Sequence, residues 1–199
     1  MARLENATVY SQMIQASLTF QDELQAFLAE KPEHLLAQRP QPNKWSFLEC
    51  INHLSLTYKD YLPRVKQAIE EGKTVKGTHF NQGFFGRMMI NSMTPKEGKI
   101  KLKVKTLGKF IPPPESAPDF SILDTFLEQH QEFIKLLEAA TPLHGGKIRL
   151  NSAIGSVLRF RLGDCCQFLV GHNERHWLQA QQAYEAVASV DRDQALSFL

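Results

Sequence analysis

Cysteine is scarce in this sequence, and this scarcity excludes a disulfide-stabilised secreted scaffold. The 199 residues include three cysteines, an odd number without a C-x-x-C spacing. Cys165 and Cys166 are adjacent within a helical pattern, which argues against a disulfide framework. We therefore expect reduced thiols, with Cys50 and Cys165 packing as small apolar side chains.

Long apolar runs and an excess of charge are also missing. No segment is apolar for long enough to span a bilayer, and the first residues, MARLENATVYSQ, lack the apolar core of a signal peptide. The formal net charge is only +2, and the 23 basic residues are spread along the chain, unlike the basic patch of a nucleic-acid-binding protein. We expect a cytoplasmic protein that binds neither membrane nor nucleic acid.

Apolar residues recur at spacings of three and four in four separate segments, and this periodicity predicts four amphipathic helices. The length and the 43% hydrophobic composition suit one domain over residues 1–199. The second helix has a capping box in which Ser46 and Glu49 bond reciprocally. Pro63 should bend or split this helix near Leu62. The predicted helices cover residues 4–29, 46–71, 118–140 and 164–188.

A connection over residues 73–117 separates the second and third predicted helices, and it is too long for a simple turn. The stretch HFNQGFFGRMMINSM, at 79–93, could form a short apolar helix, and FFGRMMI within it, at 84–90, suits the core, a pocket wall or the interface of a homodimer. A lysine-rich part follows that alternates like a strand; such lysines could meet an anionic substrate, although they more often form a solvated face. These patterns predict an all-α four-helix bundle with a long crossover that covers one end. The lysines are Lys96, Lys99, Lys101, Lys103, Lys105 and Lys109.

Two histidines on the fourth predicted helix, His172 and His176, lie four residues apart. This spacing puts both imidazoles on one side of the helix, where they could bind the same metal ion. His176 falls within the apolar face, and His172 lies at its edge. Random placement of seven histidines in 199 residues gives about 0.25 such pairs, so the spacing alone is a weak signal. A metal site needs a third ligand from elsewhere.

Two other histidines are candidates for that third ligand. His53 lies in the first two turns after the Ser46 cap, but about 120° from the centre of the apolar face of its helix, so periodicity does not bury it. His130 lies on the apolar stripe of the third helix, where a lone histidine is usually a hydrogen-bonded core residue. We favour His53, and the residues alone leave His130 open.

Three stretches of the sequence together resemble the DinB/YfiT-like metalloenzymes, over nearly the whole chain. In that family one histidine follows a W-S-x-x-E/Q pattern on the second helix, and two come from an H-x-x-x-H on the last helix. The resemblance implies a four-helix bundle with a long crossover and a bound divalent ion, nickel or zinc, with iron or manganese as alternatives. The stretches are KWSFLECINHL at 44–54, GKFIPPP at 108–114 and GHNERHWLQ at 171–179. The implied ligands are His53, His172 and His176.

Three neutral imidazoles leave coordination positions open, which is typical of catalytic rather than structural metal sites. The resemblance implies transfer of a low-molecular-weight thiol, such as bacillithiol or mycothiol, to a small electrophile, or else metal-assisted hydrolysis. The alternative is a non-catalytic, stress-linked interaction protein in which the ion only joins the second and fourth helices. Residues within a helical turn of a ligand could orient its imidazole through the other ring nitrogen. These candidates are Glu49, Asn52, Asn173 and Gln179.

Overall fold

Most of the chain is helical. The structure, a computed structural model, describes residues 3–100, 102, 104–113, 119–153 and 155–197. Its helices are α1 (Asn6–Glu30), α2 (Glu33–Leu36), α3 (Phe47–Gly72), α4 (Phe84–Met93), α5 (Ser121–Ala140) and α6 (Leu162–Ser197). Its strands are β1 (Arg3–Glu5), β2 (His79–Asn81), β3 (Arg149–Ser152) and β4 (Gly155–Arg161), and a 3-10 helix covers Gly108–Phe110. The predicted all-α class with four long helices is confirmed.

The long helices α1, α3, α5 and α6 pack as a bundle in which α1 and α3 each contact both α5 and α6. Contacts along the helices show that α1 is parallel to α6 and antiparallel to α5, whereas α3 is antiparallel to α6. Helices α3 and α5 therefore run parallel, and the chain between them must return along the bundle, which confirms the crossover. The contacts are Phe20–Trp177, Phe27–Tyr184, Ser17–His130, Phe20–Phe126, His53–His176 and Tyr61–Phe168.

Helix α6 is the element whose bounds differ most from the prediction. It continues to Ser197, whereas the end of the apolar stripe predicted a stop near residue 188. No glycine or proline follows Gly171 in the sequence, so no residue of these types interrupts the hydrogen-bonded turns. The helix begins at Leu162, directly after β4 and two residues before the predicted start at Asp164. Neither α6 nor any other described helix is long and apolar enough to cross a membrane.

Helix α3 is continuous through Pro63, so the split that was one of the two outcomes predicted there does not occur. Proline removes a single backbone donor, and the turns on either side keep theirs. Helix α1 begins at Asn6 because residues 3–5 pair with β2 in an antiparallel sheet. Helix α5 begins at Ser121, and the predicted start at Pro118 lies outside the described residues.

The crossover contains α4, as predicted, but its lysine-rich part is not a strand where it is described. Residues 100, 102 and 104–107 belong to no strand, and Lys101 and Lys103 lie outside the described residues. The linker before α6 forms the β-structure that its sequence favours, since β3 and β4 pair as an antiparallel hairpin. Helix α4 packs against α6, which brings the crossover against the bundle.

A buried chain of hydrogen bonds joins all four long helices. Nδ2 of Asn173 donates to the Tyr58 hydroxyl at 2.5 Å, and this hydroxyl donates to Nδ1 of His130 at 2.8 Å. Nε2 of His130 lies 2.8 Å from the carbonyl oxygen of Ser17, which can only accept, so Nε2 carries the ring proton. His130 is thus a hydrogen-bonded core residue.

The three cysteines are free and buried, as the sequence predicts. Burial raises the pKa of the Cys166 thiol to about 12 and that of Cys165 well above its ordinary value. These thiols therefore stay protonated at neutral pH and pack as apolar side chains.

Candidate metal centre

Three buried histidines from two helices converge between α3 and α6. His53 of α3 and His172 and His176 of α6 offer ring nitrogens that all lie within 4.8 Å of one another. The ring centroids are 5.0 Å apart for His53 and His172, 4.4 Å for His53 and His176, and 4.6 Å for His172 and His176. Their exposed fractions are between 3% and 7%. The structure thus brings together the three histidines that the resemblance implies and places His130 elsewhere in the core.

A capping box sets the start of α3 and, with it, the direction in which His53 points. The Ser46 hydroxyl accepts from the backbone N–H of Glu49 at 3.1 Å, and the Glu49 carboxylate accepts from the backbone N–H of Ser46 at 2.9 Å. Arg39 also donates to this carboxylate, at 2.8 Å from Nε. His53 follows Ser46 by seven residues, or about two helical turns, and so lies on the same side of the helix. The cap therefore fixes the orientation of the first ligand candidate.

The backbone of the crossover fixes the protonation of the His53 ring. Nδ1 of His53 lies 2.6 Å from the carbonyl oxygen of Phe110, and this oxygen can only accept a hydrogen bond. Nδ1 therefore carries the proton, and Nε2 keeps a free lone pair. Nε2 lies 3.2 Å from Nε2 of His172. A carbonyl that holds one ring nitrogen while the other faces the site is the usual support of a metal-binding histidine.

Aromatic rings confine the three imidazoles. The ring of Trp45 lies 5.0 Å from that of His53 and 6.1 Å from that of His176, between centroids. Phe168 stacks on His172 with the centroids 5.6 Å apart. Rings held between large side chains have few alternative rotamers, so the cluster is preorganised. Neither neighbour was predicted from the sequence, in which the position of Trp45 just before the cap is the available signal.

The three rings are neutral at pH 7. Burial lowers the pKa of His53 to about 4, against a smaller opposing effect of the Phe110 carbonyl. Burial, with the proximity of the other histidines, holds the pKa of His172 and of His176 well below the ordinary value. Since a metal ion binds the neutral imidazole, protons compete poorly at this site.

These pKa values predict that the metal-free protein loses stability in mild acid. Between about pH 6.5 and about pH 4 the unfolded chain protonates His53 while the folded chain does not, so the unfolded state binds more protons. The free energy of unfolding should therefore fall as the pH decreases through this window, by up to about 1.4 kcal/mol per pH unit for each such histidine. Urea unfolding after metal removal, at about pH 7 and about pH 5, measures the change.

A His53→Gln variant provides the control for this pH dependence. It lacks one of the buried titrating rings and should show a smaller difference between the two pH values. A wild-type free energy of unfolding that is equal or higher in acid would contradict the assignment of these rings as neutral.

The donor set fits a metal ion. Nε2 of His53 keeps its lone pair, because Nδ1 donates to the Phe110 carbonyl oxygen, and this Nε2 lies 3.2 Å from Nε2 of His172. Imidazole nitrogens bind several divalent transition ions, and these three rings are buried and close together. The group could therefore hold a metal ion.

The four residues considered as supports of the ligand rings have different surroundings. A polar interaction with Gln179 slightly raises the pKa of His176 against the larger effect of burial, so this side chain lies beside the cluster. Glu49 is held in the capping box, and Asn173 donates to the core network. Asn52 is half-buried, and no hydrogen bond joins it to a cluster histidine in the described chain. None of the four holds His53: its Nδ1 donates to the backbone oxygen of Phe110, a contact that was not predicted.

The three imidazoles line a cavity of about 1040 Å³. Its walls come from α3, α6, the connector before α3, the β-hairpin and the crossover. The crossover helix α4 contributes Phe85 and Met89 to the cavity, whereas Phe84 and Met88 point outward with exposed fractions of 71% and 50%. The apolar stretch of the crossover is therefore a pocket wall on one side and exposed surface on the other.

The fold and the site define a helical protein with a candidate metal centre. The fold is a four-helix bundle in which a long crossover joins the parallel helices α3 and α5, and the site consists of three converging histidines. A family model described as the DinB superfamily matches residues 18–180, more than half of the chain. The chain belongs to the DinB superfamily. Comparisons with curated proteins and with solved structures gave no match.

Proposed function

We propose that this protein is a metal-dependent enzyme that transfers a low-molecular-weight thiol to a small electrophile. The observation that carries the proposal is that three buried, neutral imidazoles face a large cavity. His53, His172 and His176 would hold one divalent ion. When bound, this ion acts as a Lewis acid that favours a thiolate over a thiol, or hydroxide over water.

The number of ligand candidates supports a catalytic site over a structural one. Structural zinc sites use four protein ligands, whereas catalytic sites keep a position for a reactant. In the described part of the chain, the cluster contains three residues able to bind a metal, and no cysteine or carboxylate joins them. The non-catalytic alternative, in which the ion only joins α3 and α6, gives no reason for the cavity beside them.

The cavity leaves room for two small reactants. Pockets for small ligands are typically about 300–1,000 Å³, and this one, at about 1040 Å³, lies at the upper end of that range. A thiol and an electrophile can therefore be held together, which removes much of the entropic cost of their encounter. In the reaction the sulfur forms a bond to the electrophilic carbon, the leaving group departs with its electron pair, and the thiol proton is lost to solvent. Phe85, Met89 and the other apolar walls would exclude bulk water from the reacting atoms.

The proposal predicts thiol transfer that depends on the metal and on the histidine cluster. Purified protein is loaded separately with zinc, nickel, iron or manganese and assayed with a panel of low-molecular-weight thiols and 1-chloro-2,4-dinitrobenzene, whose thioether product absorbs light. His172→Ala should reduce the rate to that of the chelator-treated protein, because the ion needs this ligand. His34→Ala, which removes an exposed histidine of the short helix α2, is the matched control and should leave the rate unchanged.

The other outcomes of this assay identify the competing functions. Consumption of activated esters without thiol would indicate hydrolysis at the same site. A stoichiometric ion without turnover for any pair, together with a large fall in melting temperature on chelation, would favour the non-catalytic bundle. A rate that is the same with and without metal would refute the proposed enzyme.

A further inference from the structure

A buried arginine lies beside the histidine cluster without an acidic partner. Arg175 lines the cavity and has an exposed fraction of 8%. Its Nη2 donates to the carbonyl oxygen of Leu102 in the crossover at 2.6 Å. No salt bridge joins it to a carboxylate in the described part of the chain. A guanidinium has five N–H donors and is rarely buried without an anion, so most of its bonding capacity is left for another group.

The lining of the cavity as a whole carries more positive than negative charge. Three cationic side chains, Lys44, Lys105 and Arg175, are among the residues that line it, and no aspartate or glutamate is among the described lining residues. Lys109, by contrast, lies outside this lining and pairs with Asp60 at 2.9 Å. Charges of one sign in a cleft with apolar walls concentrate ligands of the opposite sign.

The remaining walls are suited to an apolar body. Aromatic and sulfur-containing side chains from α4, the hairpin and α6 line the cavity, among them Phe85, Met89, Phe160 and Phe168. Apolar walls with a small number of placed polar groups are the usual composition of a small-molecule site, in which the polar group fixes the orientation of the ligand.

We propose that this cavity takes an amphipathic organic anion, with its carboxylate, sulfonate or phosphate group on Arg175 and its apolar part against α4 and the hairpin. The inference rests on the proposed function, because the same cavity would hold the reactants. Arg175 and the three histidines line the same cavity, so an anion bound to Arg175 has the rest of its molecule in the space that the histidines face. The planar guanidinium can bind a carboxylate, sulfonate or phosphate through two parallel hydrogen bonds.

Two fluorescent probes that differ in one anionic group test the proposal. The probe 8-anilinonaphthalene-1-sulfonate carries a sulfonate, and N-phenyl-1-naphthylamine has the same aromatic body without it. Arg175→Gln should weaken binding of the sulfonate probe about tenfold or more and change binding of the neutral probe less than about twofold, because it removes the charge-assisted hydrogen bonds to the anion and leaves the apolar walls in place. Arg192→Gln, at an exposed position of α6 outside the cavity, is the matched control and should change neither.

Each of the other outcomes overturns the proposal. Failure of the wild-type protein to bind the sulfonate probe, or an equal effect of Arg175→Gln on both probes, excludes an anion anchor at Arg175. Sulfonate binding that survives Arg175→Gln but is lost on chelation would assign the anion to the metal instead. If Arg175→Gln does not fold, Arg175→Lys replaces it. This variant keeps the charge but cannot form the two parallel hydrogen bonds of a guanidinium, so it should weaken binding of the sulfonate probe more than binding of the neutral probe. Equal effects on the two probes overturn the proposal.

The probe measurement is independent of turnover. It is made on zinc-loaded and on chelator-treated protein, and the effect of Arg175→Gln is expected in both. If the protein shows this effect but never catalyses thiol transfer, the proposed anion site stands and the proposed reaction is wrong. If it shows metal-dependent turnover without this effect, the proposed reaction stands and the proposed anion site is wrong.

Discussion

Replacing His53 by alanine is expected to weaken the binding of zinc or nickel by more than about 100-fold, as measured by competition with a chromophoric chelator. Loss of a residue that only supports a ligand reduces metal affinity by roughly 10- to 100-fold, and loss of a ligand should cost more. His53 is the one ligand candidate on α3, so its removal leaves only the pair on α6. The remaining pair supplies only two of the three proposed protein ligands.

His130→Ala is the control for this measurement. It removes an equally buried imidazole that lies in the core network and not in the cluster. The variant should lose stability, because the Tyr58 hydroxyl loses a partner, but its metal affinity should stay within about threefold of the wild type. If His53→Ala bound the ion as tightly as His130→Ala does, the three-histidine assignment would be wrong.

Replacing Tyr58 by phenylalanine is expected to lower the free energy of unfolding by about 2–6 kcal/mol. The hydroxyl accepts from Asn173 and donates to His130, and both of these groups are buried. Its removal leaves a buried donor and a buried acceptor unpaired, each at a cost of about 1–3 kcal/mol, while the ring stays in place. Urea unfolding of the metal-free proteins measures the difference.

Tyr184→Phe removes the same oxygen atom without breaking a network. Like Tyr58, Tyr184 is a core residue, and it lies on α6 with an exposed fraction of 6%. Its hydroxyl makes no hydrogen bond to the described part of the chain. Its loss should change the free energy of unfolding by less than about 1 kcal/mol. Equal effects of the two substitutions would show that the buried network does not stabilise the bundle.

Two of the three ligand candidates can be read from local spacing, because residues four apart on a helix lie on the same side. His53 could not be placed in this way. Hydrophobic periodicity identifies the apolar stripe of a helix, whereas the side of α3 that carries His53 is buried by the side of α6 that carries His172 and His176 and by the crossover. The partner that holds its ring is the backbone oxygen of Phe110, and a backbone atom leaves no side-chain pattern in the sequence.

The burial of Arg175 in the wall of the cavity could not be predicted from the sequence either. Arg175 has the sequence features of a solvent-facing residue, since it is a charged side chain near Glu174 on a helix. The crossover contributes to its burial, since Nη2 of Arg175 donates to the carbonyl oxygen of Leu102, 73 residues away in the chain. The length and composition of the segment predict the crossover. They do not predict which side chains the crossover covers.

The crossover also connects the fold to the site. Because α3 and α5 are parallel, the chain must return along the bundle between them, and this return supplies α4, the Phe110 carbonyl and one wall of the cavity. A bundle with short turns would present the same histidines without a covered pocket. The connectivity of the helices is therefore part of what makes the cluster a candidate catalytic site.

The central claim is that His53, His172 and His176 bind a single ion, and an X-ray structure of the zinc-loaded protein tests it most directly. Diffraction data collected above and below the zinc absorption edge locate the ion through its anomalous signal. The account predicts one peak between α3 and α6, about 2.0–2.1 Å from a ring nitrogen of each of the three histidines. Anomalous peaks that lie only elsewhere on the protein, with these three rings bound to no ion, would contradict it.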